Sequence, residues 1–146
     1  MTLSHTVRRA ALALVTVAWL AGGAAAQEGP AFKEIMQGLA EDMNHLNAAI
    51  FAENFEAIER YASAIAHHPR PSPAERARLM EAVGPRVELF QSIDHSVHGG
   101  AGEMADAARV GDMDGVLRYH ARVMQGCVAC HAAFRDELMQ PDTPKL

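Results

Sequence analysis

A chain of 146 residues with a formal net charge of −5 has the length of one domain. The acidic balance excludes a surface built for nucleic acid. It serves solubility, and it equally suits steering towards a basic partner.

Met1 to Ala26 reads as a secretory signal. Arg8 and Arg9 give the charged start, and Ala10 to Leu20 is an apolar run too short to span a bilayer. Ala24-Ala25-Ala26 supplies the small-residue cleavage site. Cleavage after Ala26 leaves residues 27–146 as one exported domain, with no stable membrane insertion. The signal holds two arginines and no acid, so its removal takes the charge from −5 to −7.

From Phe32 to Ala52, apolar residues recur at Phe32, Ile35, Met36, Leu39, Met43, Leu46 and Ile50. These spacings of three and four predict an amphipathic helix. A second helix is predicted from Asn54 to His67 on the stripe Phe55, Ile58, Tyr61, Ala62 and Ile65. His68-Pro69-Arg70-Pro71-Ser72-Pro73 must be a loop, because its prolines lack the N–H that a helix needs. Ser72 then caps a third helix, with Pro73 at its first position and Glu75 at its third.

Gly84-Pro85 stops or kinks that third helix. Its stripe resumes at Val87, Phe90, Ile93 and Val97 and continues through Met104, Ala105 and Ala108 to Gly111-Asp112. Gly99-Gly100 within it has two readings, a hinge or a place of close approach. The last helix is predicted from Asp112 to Leu138, on a broad face from Met113 and Val116 to Phe134 and Leu138. The tail from Gln140 to Leu146 is expected to be mobile. No stretch alternates with period two. The fold class is therefore all-α, an antiparallel four-helix bundle.

The chemistry lies in Cys127-Val128-Ala129-Cys130-His131. Two thiols three positions apart with a histidine after the second form the attachment pattern of haem c. On a helix these side chains share one face within about one turn. The thiols can add to the two haem vinyl groups as thioethers, and His131 can ligate the iron from the proximal side. A thioredoxin-like motif needs a βαβ context, and zinc needs two further ligands. A disulfide leaves His131 unexplained. With both cysteines engaged, no structural disulfide is available.

Val123 to Arg135 around this motif, Phe90 to Asp112, and Ile35-Met36 through Met43 together resemble the class II cytochromes c, the cytochrome c prime superfamily. The resemblance implies a covalently attached haem c with its iron. It implies that the first-helix residue seven positions before a Met faces the distal side of the haem; that residue is Met36, before Met43. A methionine there implies sixth-ligand thioether coordination, a low-spin iron and electron transfer with redox partner proteins. Leu, Tyr or Phe there implies a five-coordinate iron that binds small gases. Gas binding (NO, CO) and metal handling are the alternatives to electron transfer. The family's basic residue for a haem propionate falls at Phe32, which puts that contact in doubt; Lys33 is its neighbour. Arg135 matches the basic residue after the family's motif and is a candidate haem contact. A homodimer through the first helix is a further implication.

Several histidines remain. His95, His98 and His120 are the candidates for a sixth ligand in place of Met36. His67-His68, or Asp94 and His95 with His98, suit a divalent metal by spacing. His120 lies on the apolar stripe, about 16 Å along the axis from His131, which favours a core or boundary role. No nucleophile–base pair, phosphate loop or recognisable acid pair points to an enzyme.

Overall fold

The computed structural model describes residues 29–139. The expected signal sequence, its expected cleavage site and the C-terminal tail from Gln140 lie outside the described residues. The helices are α1 (Phe32–Phe51), α2 (Phe55–Ala66), α3 (Pro73–Val83), α4 (Val87–Arg109) and α5 (Met113–Leu138), with a 3-10 turn at Gly84–Arg86 between α3 and α4. There is no strand among the described residues. The chain is an all-α four-helix bundle in which α3, the turn and α4 form one bent arm.

Helix starts and stops follow local chemistry. The Asn54, Ser72 and Asp112 side chains each accept the backbone N–H three residues on and so cap α2, α3 and α5. Pro73 occupies the first turn of α3, where its missing N–H does no harm. Gly84 has a positive φ of 54°, which ends α3, and Gly111 at 73° allows the tight turn into α5. Glu53 holds φ 51° in the short α1–α2 turn, a left-handed conformation that disfavours a side chain.

The core sits towards the end where the α1–α2 and α4–α5 turns lie. Leu46, Ile58, Ala62, Ala101, Met104, Ala108, Val116 and Val123 are buried there. α4 packs along α5 and α2, and α2 along α1. Alanines on α4 let these backbones approach closely. The two readings of Gly99-Gly100 now separate. The helix runs unbroken through both. A Cβ on Gly100 would meet Val123 Cγ2 at 3.2 Å, while one on Gly99 would meet nothing within 4 Å. Gly100 is a close-approach residue. Gly126, just before Cys127, is a tighter one: its Cβ would lie 2.5 Å from Val97 Cγ2.

α3 closes the opposite end. Arg86 donates to the Ala133 carbonyl at 2.9 Å, pairs with Glu137 and lies over the Phe134 ring. Phe90 meets the same ring edge-on at 5.5 Å. Glu75 of α3 accepts the N–H of Phe32 at 3.2 Å, tying the start of α1 to the same end.

Candidate functional site

Between the core and this closing arm, the helices part around a cavity of about 700 Å³. α1 lines it with Phe32, Ile35, Met36 and Leu39. α3 adds Leu79 and Met80, and α4 adds Phe90, Ile93 and Val97. α5 contributes Cys127, Cys130 and His131. The polar groups come from the connection after α2, from Arg76 of α3 and from the middle of α4. Small-molecule and cofactor sites commonly span about 300–1,000 Å³ and are mostly apolar with a few placed polar groups, and this cavity fits that description.

No disulfide joins Cys127 and Cys130, and both are half-buried. Burial pushes each thiol above its usual value, and the nearby Cys127 and Asp94 push Cys130 further the same way. The imidazole of His131 is exposed and has no hydrogen-bond partner among the described residues. Both its ring nitrogens are unclaimed by the protein. A one-turn pair of thiols and an uncommitted imidazole on one wall of an apolar cavity fit haem c, which needs two thioethers and an axial nitrogen.

The two methionines of α1 separate in space. Met36 lines the cavity, whereas Met43 packs against the closed core. Met80 is a second thioether on the cavity wall, which the sequence stripe gave no reason to weigh.

Of the remaining histidines, His67, His68, His95 and His98 also line the cavity. His120 binds the Asn47 side chain through Nε2 at 2.8 Å and is not among the cavity-lining residues, and burial lowers its pKa. His98 Nδ1 is 2.7 Å from the Ala66 carbonyl and donates to it, while its Nε2 is 3.5 Å from Asp94. Its partner Asp94 raises the His98 pKa above 6.5, against desolvation, and His98 in turn lowers the Asp94 carboxyl. His68 packs against the His98 ring at 4.7 Å, and its own Nδ1 is 2.8 Å from the Pro69 carbonyl. His67 Nδ1 is 2.9 Å from the Ser63 carbonyl. His95 lines the cavity. Among the described residues no group of three or more His, Cys, Asp or Glu is placed to hold a metal ion.

Arg135 is not among the cavity-lining residues. Its side chain is 66% exposed and faces Asp136. Lys33 is also exposed and outside the lining. The cations at the cavity are Arg70 and Arg76. Sequence reading passed over them, because neither lies on an apolar stripe or in a motif, and spacing alone does not say which wall the α2–α3 connection or the start of α3 reaches.

A helical bundle that opens into an apolar cavity, with a Cys-x-x-Cys-His turn on its wall, defines a haem c protein. The family model described as Cytochrome C' matches residues 23–135, and the chain belongs to that family. Its cofactor is covalently attached haem c with iron. Proteins of this family serve electron transfer or ligand binding, are not typical enzymes, and are typically exported to the periplasm. Neither a curated protein nor a solved structure matches the chain significantly. Among the described residues no helix is long and apolar enough to cross a membrane.

Proposed function

We propose that the protein is a periplasmic carrier of single electrons. In this reading Met1–Ala26 directs export, Cys127 and Cys130 hold the haem as thioethers, His131 is the proximal ligand and Met36 the distal one. One observation supports the distal assignment above others: Met36 shares the cavity with Cys127, Cys130 and His131, while Met43 is turned into the core. The haem supplies an iron that alternates between ferric and ferrous states. The chain supplies a soft thioether opposite imidazole, a pair that raises the reduction potential. The tight α4–α5 contact at Gly126 fixes the helix that carries both cysteines, which limits rearrangement. The acidic surface favours a basic redox protein as partner.

The test is the optical spectrum of the haem-loaded protein in both oxidation states, for wild type, Met36→Ala and Met80→Ala. A low-spin ferric wild type with a sulfur-to-iron charge-transfer band, lost only in Met36→Ala, is expected. A band lost only in Met80→Ala moves the ligand to α3. A high-spin wild type that binds carbon monoxide unchanged by Met36→Ala contradicts the reading and leaves gas binding as the function.

A further inference from the structure

The arginines of the described chain divide into two groups. Arg60 and Arg118 lie over Tyr61 and Tyr119, and Arg86 over Phe134. Arg78, Arg109, Arg122 and Arg135 face Glu75, Glu59, Glu103 and Asp136. Arg70 and Arg76 alone have neither a carboxylate nor a ring partner among the described residues, and these two line the cavity. The one acid in the lining, Asp94, is engaged with His98. α1 contributes only apolar walls there.

A guanidinium beside apolar surface gains most from a planar carboxylate that it can bind through two N–H groups. The protein offers none at this place, so the complementary anion belongs to the bound group. Haem carries two propionates on the edge of the porphyrin opposite its vinyl groups. The cysteines of α5 would hold the vinyl edge, and the two arginines come from other elements lining the same cavity. Arg70 lies in the α2–α3 connection and Arg76 in the first turns of α3. Their backbone is held firmly. Pro69, Pro71 and Pro73 restrict the connection, and a Cβ on Gly29 would come within 2.9 Å of the Arg70 carbonyl, so the segment before α1 packs tightly against it.

We infer that Arg70 and Arg76 seat the haem propionates. The inference rests on the haem occupying this cavity, not on Met36 ligating its iron. The experiment compares the haem-loaded Arg70→Gln/Arg76→Gln protein with an Arg60→Gln/Arg118→Gln control that loses the same charge on the outer surface. Resonance Raman reads the propionate-bending band, and a redox titration reads the midpoint potential. The expected result is a shifted bending band and a potential lowered by more than in the control, because cations at the propionates favour the reduced haem. An unmoved band, or a potential shift equal to the control's, overturns the inference. The Arg70→Lys/Arg76→Lys protein keeps the charge and the fold; it is expected to hold the potential near wild type while the band still moves, and an unmoved band there also overturns the inference. The band is readable in any coordination state, so a failed Met36 assignment leaves this test intact.

Discussion

Towards the α1–α2 and α4–α5 turns, the bundle interior is filled by the chain itself: Leu46, Ile58, Ala101, Met104, Ala105 and Val116 pack with no exposure beyond a few per cent. At the other end the same helices line a cavity of about 700 Å³. On α1 the change falls between Leu39 and Leu46, on α4 between His98 and Ala101, and on α5 between Val123 and Cys127. Close-approach glycines stand at this boundary, Gly100 on α4 and Gly126 on α5. One helix thus packs against other helices in one half and lines a cavity in the other. Its small residues bring backbones together in one half, and its large apolar residues stand apart in the other to receive a flat cofactor.

The largest effect comes from removing the attachment. In Cys127→Ala/Cys130→Ala, the open half loses its bound filler. Without it, the apolar walls that α1, α3 and α5 present to the cavity face water, and the hydrophobic drive that holds them together is lost. Hydrogen exchange is expected to show residues 32–39 unprotected and the amides around Leu46 and Met104 still protected. Uniform protection in both halves would break the comparison.

Next is Leu46→Ala in the closed half. A fully buried leucine there is expected to cost about 2–5 kcal/mol, read by denaturant unfolding, with the haem spectrum unchanged. A changed spectrum would show that the halves are not independent.

The glycines sharpen the boundary. Gly126→Ala gains helix propensity of about 1 kcal/mol but forces Val97 aside, and overpacking costs about 1–3 kcal/mol. Net destabilisation of about 1 kcal/mol is expected. Gly99→Ala, with open space at its Cβ, is expected to stabilise by about 0.5–1 kcal/mol. Thermal melts of the two variants check the opposite signs.

The smallest effect is pH-dependent. His98 is raised above its ordinary 6.5 chiefly by Asp94, so its contribution is complete below pH 6.5 and fades as pH rises through the raised value. Asp94 is lowered below 3.8 chiefly by His98, so its contribution is complete above that pH and fades as pH falls through the lowered value. The stability gap between wild type and Asp94→Asn is therefore expected to be widest between about pH 4 and 6.5 and to narrow above it. Melting temperatures across that range read it, and a flat gap would remove the pair from the account.

Helix periodicity, proline and glycine breaks and capping residues made the bundle legible in the sequence, because all of these act within a few residues. Ser72 caps α3 and Gly84-Pro85 breaks the arm as local chemistry requires. Cys127, Cys130 and His131 could be read as one candidate site because they are nearly adjacent, and the structure puts all three on the cavity wall. What failed to show depends on distant neighbours. An apolar residue of the last helix does not by itself say which way it faces: Val116 is buried while its neighbour Leu117 is 48% exposed. Gly99 and Gly100 look alike until α5 is placed beside one of them. Arg70 and Arg76 reach the cavity only because the α2–α3 connection folds back towards α1.

The most direct test of the central claim, that the open half holds a haem between His131 and Met36, is near-infrared magnetic circular dichroism of the oxidised wild-type protein. The account predicts the charge-transfer band of low-spin histidine–methionine coordination. The band of bis-histidine coordination, or the spectrum of a high-spin five-coordinate iron, would contradict it.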